Sequence, residues 1–194
     1  MWALVEDNAI VKMINQPRGM VIGDTQYSRN IFSFRWSNEE REAIGLYEVV
    51  FDNTNKKDKA YYNNTNQSFA FADGAVTASF GSATAKALAD VTENAIVIPG
   101  LKSQHKERIK QQASSLLTNY DWYVIRKADA GTAVPSAITT YRAAVRTKSG
   151  EMETLINNAA NVDALAALYQ YVNTGTEENP VMERPLGEWP VLVV

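Results

Sequence analysis

The chain has 194 residues, 45% hydrophobic and 21% charged, with a formal net charge of −3. That is the composition of a folded chain, long enough for one domain or two small ones. It contains no cysteine and a single histidine, His105, which excludes disulfides, thiolate metal sites, cysteine nucleophiles and a multi-histidine metal site within one chain.

Residues 1–82 read as a β-rich domain. Trp2–Glu6 and Ala9–Ile14 flank Asp7-Asn8, a pair that tolerates the positive φ of a tight hairpin turn. A two-residue turn there sets Leu4 opposite Val11 and Trp2 opposite Met13, so these four side chains share an expected core face. Ser37 and Glu40 stand at capping-box spacing and open a short helix, with Gly45 as its stop. Leu46–Phe51 is a further strand, 52–58 a polar loop, and Ala60-Tyr61-Tyr62 returns as a strand. A second hairpin joins Ser68–Ala72 to Ala75–Phe80 across Asp73-Gly74, pairing Phe71 with Val76 and Phe69 with Ala78.

Residues 83–100 read as a connector, helical over Ala83–Asp90 and ended by Pro99-Gly100. Residues 101–194 read as mainly helical. Leu101, His105, Ile109, Gln112 and Leu116 fall near helical spacing. Tyr120–Ile125 is expected to be extended or irregular, Ala130-Gly131 a turn, and Val134, before Pro135, non-helical. Ser136 is expected to cap a long helix with Ile138, Tyr141, Val145, Met152, Leu155, Ile156 and Ala159 inward, kinked or broken at Gly150. Asn161 is expected to cap a last helix with Val162, Leu165, Leu168, Tyr169 and Val172 inward. Pro180–Val194 reads as an extended strap whose Trp189 and 191–194 need burial. The fold class is therefore α+β: an N-terminal antiparallel β-hairpin-rich region, a C-terminal helical region and an extended C-terminal strap.

Motifs for chemistry are sparse. Gly100-Leu101-Lys102-Ser103 lacks the order of a phosphate loop, and no G-x-S-x-G elbow occurs. His105 stands among Lys102, Lys106 and Arg108 on an expected helix and reads as a solvated side chain, since no orienting acid is indicated. The 52–58 loop fails the calcium-loop template at Thr54 and Lys57. A glycosidase carboxylate pair is left open by spacing, with no pair standing out. No catalytic residue, metal ligand or cofactor is expected.

Charge is uneven: residues 1–100 carry net −3, residues 101–150 net +6 and residues 151–194 net −6. The basic segment, interleaved with Tyr120, Trp122, Tyr123 and Tyr141, has the makings of a single-strand nucleic-acid face. The negative whole chain favours instead a solvated helix paired with the acidic segment. Arg142 and Arg146 lie one helical turn apart and are expected to clamp carboxylates, such as Asp121 or Asp129 or those of a partner, with a clamp inside the fold favoured over a ligand site. There is no apolar run of about 18 residues, so no membrane span is expected. Glu6 and Asp7 stand where a signal peptide needs cations, so the chain is expected to fold in a cytoplasm.

Four stretches carry a resemblance. They are Leu116-Leu117-Thr118-Asn119-Tyr120-Asp121-Trp122; Thr139-Thr140-Tyr141-Arg142-Ala143-Ala144-Val145-Arg146; Trp189-Pro190; and the opening Met1-Trp2-Ala3-Leu4-Val5 with Val21–Tyr27, Trp36-Ser37 and Ala43–Tyr47. Together they resemble small tail-region proteins of tailed bacteriophages, including the tail fibre assembly proteins and tail assembly chaperones of marine phages. Asp121-Trp122 is followed by Tyr123-Val124-Ile125-Arg126-Lys127 rather than the short acidic, proline-containing stretch usual in the chaperones. The resemblance implies a non-enzymatic structural component of a virion tail, at the baseplate or tail-fibre attachment region, made in the bacterial host cytoplasm. A tail fibre assembly chaperone is the alternative, and a glycan hydrolase a remote one. The implied partners are other phage tail or fibre proteins, in homo- or hetero-oligomers, with neither membrane nor nucleic acid. Trp122, Arg126, Tyr141, Arg142, Arg146 and Trp189 are the residues assigned to the interface, because aromatic and Arg anchors dominate such contacts.

Overall fold

The computed structural model describes residues 1–193 and divides into two compact units, 1–84 and 85–194. It is mixed α+β, with an N-terminal sheet and mostly C-terminal helices.

Among the described residues thirteen strands occur in chain order. In the first unit they are β1 (Trp2–Glu6), β2 (Ala9–Ile14), β3 (Met20–Ile22), β4 (Thr25–Tyr27), β5 (Leu46–Asp52), β6 (Tyr62–Asn63), β7 (Gln67–Ala72) and β8 (Ala75–Phe80). Then come β9 (Thr84–Ala85), β10 (Val91–Glu93), β11 (Ile96–Ile98), β12 (Val172–Asn173) and β13 (Met182–Glu183). A five-stranded sheet of order β2-β1-β5-β8-β7 organises the first unit. All its pairs are antiparallel except β5 with β8, which run parallel. That one pair departs from the all-antiparallel expectation, because the polar loop after β5 and β7 together carry the chain back to the start of β8.

The β7–β8 hairpin has the expected register, Phe71 opposite Val76 and Phe69 opposite Ala78. The first hairpin departs from expectation. Glu6–Ala9 and Val5–Ile10 pair as a two-residue turn requires, but a bulge then shifts the register, so Leu4 faces Lys12 and Trp2 faces Ile14. Val11 is left 52% exposed. The expected shared face of Trp2, Leu4, Val11 and Met13 does not form. Both faces of β1 are covered instead. Ala3 and Val5 pack with Val49, Val76 and Ala78, while Leu4 packs with Ile14, Met20, Ile31 and Leu46 on the other side. Helix α1 (Asn38–Glu42) starts with the expected capping box: the Ser37 hydroxyl accepts from Glu40 N and the Glu40 carboxylate accepts from Ser37 N. The return strand at 60–62 shrinks to β6, because Asp58 turns the chain by accepting from Tyr61 N and Tyr62 N through its carbonyl.

The segment 83–100 is not helical. It contains β10 and β11, an antiparallel hairpin whose turn residues Asn94 and Ala95 both have positive φ. Residues 87–90 then serve as a cap. The carbonyls of Ala87 and Leu88 accept from the first free amides of helix α2 (Leu101–Thr118), those of Leu101 and Lys102. The Asp90 carboxylate accepts from Gly100 N at 2.8 Å.

Helix α2 runs antiparallel to α4 (Ser136–Asn158), since Lys102 reaches Asn157, Lys110 reaches Glu153 and Leu117 meets Arg142. Leu101, His105, Ile109 and Ala113 form the buried stripe of α2, at four-residue spacing. Ala113 takes the inward place expected of Gln112. On α4, Ile138, Tyr141, Val145, Met152 and Ile156 are buried as expected, whereas Leu155 is exposed. The helix continues through Gly150 without a break, and it starts one residue earlier than expected: Pro135, not Ser136, holds the N-cap, its carbonyl accepting from Thr139 N.

Tyr120–Ile125 is not extended. Asp121–Ala130 forms helix α3, closed by Gly131 at φ +69. Asn161 caps α5 (Val162–Ala167) through its side chain, but the helix stops well before Val172, which is exposed in β12. The tail is not a plain strap. β12 and β13 form a small hairpin, and Leu186 beyond it is fully buried. Trp189 and Leu192 pack against the cluster of Ala113, Tyr141 and Val145, while Val191 and Val193 stay exposed. Val194 lies outside the described residues.

Candidate functional site

The basic–aromatic segment builds two distinct places, one interior and one on the surface. The interior place centres on Arg142. It is buried beneath the α2–α3 corner, donating to the Leu117 carbonyl at 2.7 Å and pairing with the Asp121 carboxylate at 2.8 Å. This is the clamp on Asp121 expected from the spacing. It joins the last turn of α2 to the first turn of α3, where a carboxylate is favoured by the helix dipole. Tyr141 lies beside it, buried, with its ring edge-to-face on Tyr120 at 5.4 Å. Burial pushes the Tyr141 phenol up, with the neighbouring Tyr120 adding to the shift. Both Tyr141 and Arg142 are thus occupied within the chain. Arg146, exposed one turn further along α4, does not clamp a carboxylate as expected: it donates to the Arg142 carbonyl at 3.5 Å and forms no ion pair among the described residues.

The surface place is α3 itself. None of its ten residues is buried. Trp122 is 50% exposed and Ile125 66% exposed, with Val124 also open. Trp122 and Tyr123 stack with ring centroids 3.9 Å apart, and the Arg126 guanidinium covers both, 4.7 Å from the first ring and 5.4 Å from the second. Arg126 Nε is shielded by this packing and has no hydrogen-bond partner among the described residues. Trp189, the sixth assigned residue, is partly buried over α2, its indole N–H donating to Gln112 Oε1 at 3.2 Å. The six assigned residues therefore separate: Trp122 and Arg126 form one surface cluster, Arg146 is exposed elsewhere, and Tyr141, Arg142 and Trp189 serve internal packing.

His105 is not a solvated helix residue. It is 3% exposed, with Nδ1 2.7 Å from the Tyr169 hydroxyl and its ring 4.9 Å from the Tyr169 ring. Burial pulls the imidazole down to about 4, and the positive charge of Arg108 acts in the same direction. The lysines that suggested solvation, Lys102 and Lys106, instead reach across to Asn157 on α4.

One feature escapes sequence reasoning, the hairpin over 172–183. Asn173 Oδ1 accepts from both Gly175 N and Val181 N, and Thr174 N donates to the Val181 carbonyl. The Thr176 hydroxyl accepts from Asn179 N, and Thr176 N donates to the Asn179 carbonyl. These bonds fix the turn that places Glu177 and Glu178 at its tip. Tyr171, Val172, Val181 and Met182 are exposed along its length. Asn173 was the available signal, since its side chain satisfies backbone donors two and eight residues on.

In the first unit, Arg41 is buried and fully engaged. It donates to the carbonyls of Ile31 and Ser33 and to Asn38, and it covers the Trp2 ring at 4.8 Å. A cleft of about 260 Å³ beside it is lined by Trp2, Arg41, Tyr47 and Gly74 among others. Among the described residues no three carboxylate or imidazole groups gather as a metal site, and no helix is long and apolar enough to cross a membrane. Comparison with protein-family models, with curated proteins and with solved structures finds no match for the chain.

Proposed function

We propose that the chain is a non-catalytic structural component of a phage tail, at the baseplate or tail-fibre attachment region, acting through protein–protein interfaces. The tail assignment rests on the resemblance of the Leu116–Trp122, Thr139–Arg146 and Trp189-Pro190 stretches. The observation that supports an interface role is α3, a helix with no buried residue that holds Trp122, Tyr123 and Arg126 in one stacked cluster on the surface. Trp, Tyr and Arg are the residue types that supply most binding energy at protein interfaces. Their mutual stacking fixes rotamers in advance, so little side-chain entropy is left to lose on binding.

Mass spectrometry of purified phage particles, with copy number set against the major tail protein, tests the reading. The expected result is the chain in particles at a fixed multiple of three or six. Absence from particles overturns it, and co-purification with a fibre protein from infected-cell lysate would then assign the chain as an assembly chaperone.

A further inference from the structure

We propose that the apolar face of α3 is covered by the acidic hairpin, residues 172–183, of a second copy of this chain. The proposal names the partner of the surface described above and rests on reading α3 as an interface, but not on a location in a tail. Both surfaces are exposed in every copy: Trp122 and Ile125 on α3, and Val172, Val181 and Met182 on the hairpin. Their charges are opposite. With Asp121 paired to Arg142, α3 presents Arg126 and Lys127 against Asp129, net +1, whereas the hairpin carries Glu177, Glu178 and Glu183, net −3. At the hairpin tip Glu177 and Glu178 form no ion pair among the described residues.

Apolar contact between Trp122 or Ile125 and the flexible thioether of Met182 supplies the packing. The carboxylates at the tip supply direction and encounter rate. The hairpin is held by its own hydrogen bonds, two of them to the Asn173 side chain, so docking orders little chain. Because the two surfaces differ, the contact is head-to-tail, and successive copies close into a ring or extend into a chain.

Sedimentation and light scattering of the full chain across concentration, at low and high salt, give the test. Wild type is expected to self-associate and to weaken with salt. E177K/E178K and R126E/K127E are each expected to weaken association by at least about tenfold, with unchanged circular dichroism. Mixing the two variants is expected to restore it, since each then offers the surface that the other lacks. The hairpin variant alters only an exposed tip, so it tests the proposal even where the helix variant fails to fold. A monomeric wild type, or an oligomer indifferent to both reversals and to their mixing, overturns the proposal. A monomer found in virions would leave the tail assignment standing, and an oligomer absent from virions would leave this contact standing without it.

Discussion

The Tyr169 hydroxyl sits 2.7 Å from Nδ1 of His105, a contact that ties the first half of α2 to the chain just past α5. Burial holds the imidazole at about 4 in the folded chain, against 6.5 for a free histidine. The unfolded chain therefore binds more protons between these values. Stability from this group is complete above pH 6.5 and is lost as pH falls toward 4, by up to about 3 kcal/mol. Urea unfolding between pH 7 and pH 4 is expected to show this slope, and H105Q to lack that share of it. An equal slope in the variant would show that His105 stays solvated in the folded chain.

Arg142 meets two obligations at once, the Leu117 carbonyl and the Asp121 carboxylate. Arg142→Ala takes one donor from the Leu117 carbonyl, which keeps Tyr120 N, empties the space that the buried guanidinium fills and removes the tie to α3. The expected loss is about 3 kcal/mol. Asp121→Asn is expected to cost less than about 1 kcal/mol, because that carboxylate is half exposed and water takes over its contact. Denaturant midpoints of the two variants check the asymmetry. Equal costs would mean that the ion pair, rather than the bond to the carbonyl, is what Arg142 contributes.

Gly100 has an ordinary φ of −74°, so conformational entropy alone would make Gly100→Ala stabilising by about 0.4–1 kcal/mol. Sterics reverse the sign. An added Cβ would lie 2.2 Å from the Ala89 carbonyl oxygen and 2.8 Å from that of Leu88. These atoms belong to the segment that caps α2, so they cannot retreat without freeing the Leu101 and Lys102 amides. The expected outcome is destabilisation by at least about 2 kcal/mol, read from the thermal midpoint. A stabilised variant would show that the 87–90 cap is dispensable.

What was legible in the chain was local. Asp7-Asn8 and Asp73-Gly74 announce turns with positive φ at both positions, and both form. Asn94-Ala95 makes the same kind of turn, but alanine rarely adopts φ of +64°, so nothing marked it. The bulge at Leu4/Val5 was hidden for a related reason: alternation assigns faces only while the register is unbroken. Tyr120–Ile125 carries aromatic and β-branched residues that favour extension, yet Arg142, 21 residues beyond Asp121, holds that carboxylate at the first turn of the helix. His105 could not be placed from its own helix, because the partner that makes it a core residue is Tyr169. For the candidate site, the residue types were readable and their separation into core and surface was not. Arg142 and Trp122 have the same credentials in sequence, and only tertiary packing distinguishes them.

The bulge makes its own prediction. Val11 is half exposed, whereas Val5 is buried among Ala3, Val49 and Val76. Val11→Thr is expected to change stability by less than about 0.5 kcal/mol. Val5→Ala is expected to cost about 2 kcal/mol through the lost methyls and the space left behind. Chemical denaturation of both variants decides between the bulged and the unbroken register, since the unbroken one buries Val11 and reverses its insensitivity.

Trp122 and Tyr141 lie on either side of the same corner and predict opposite behaviour. Tyr141 is buried against Tyr120, so Tyr141→Ala is expected to cost about 3 kcal/mol and to weaken any association only through unfolding. Trp122 touches Tyr123 and Arg126 but covers no core, so Trp122→Ala is expected to cost no more than about 1 kcal/mol, the worth of that stacking. Its effect belongs in binding, where loss of an exposed aromatic anchor is expected to weaken association at least about tenfold. Thermal midpoints and association constants measured on the same preparations separate the two. If Trp122→Ala unfolds the chain, or folds and associates as wild type does, α3 is not the interface, because only a residue that is silent in stability and costly in binding faces a partner.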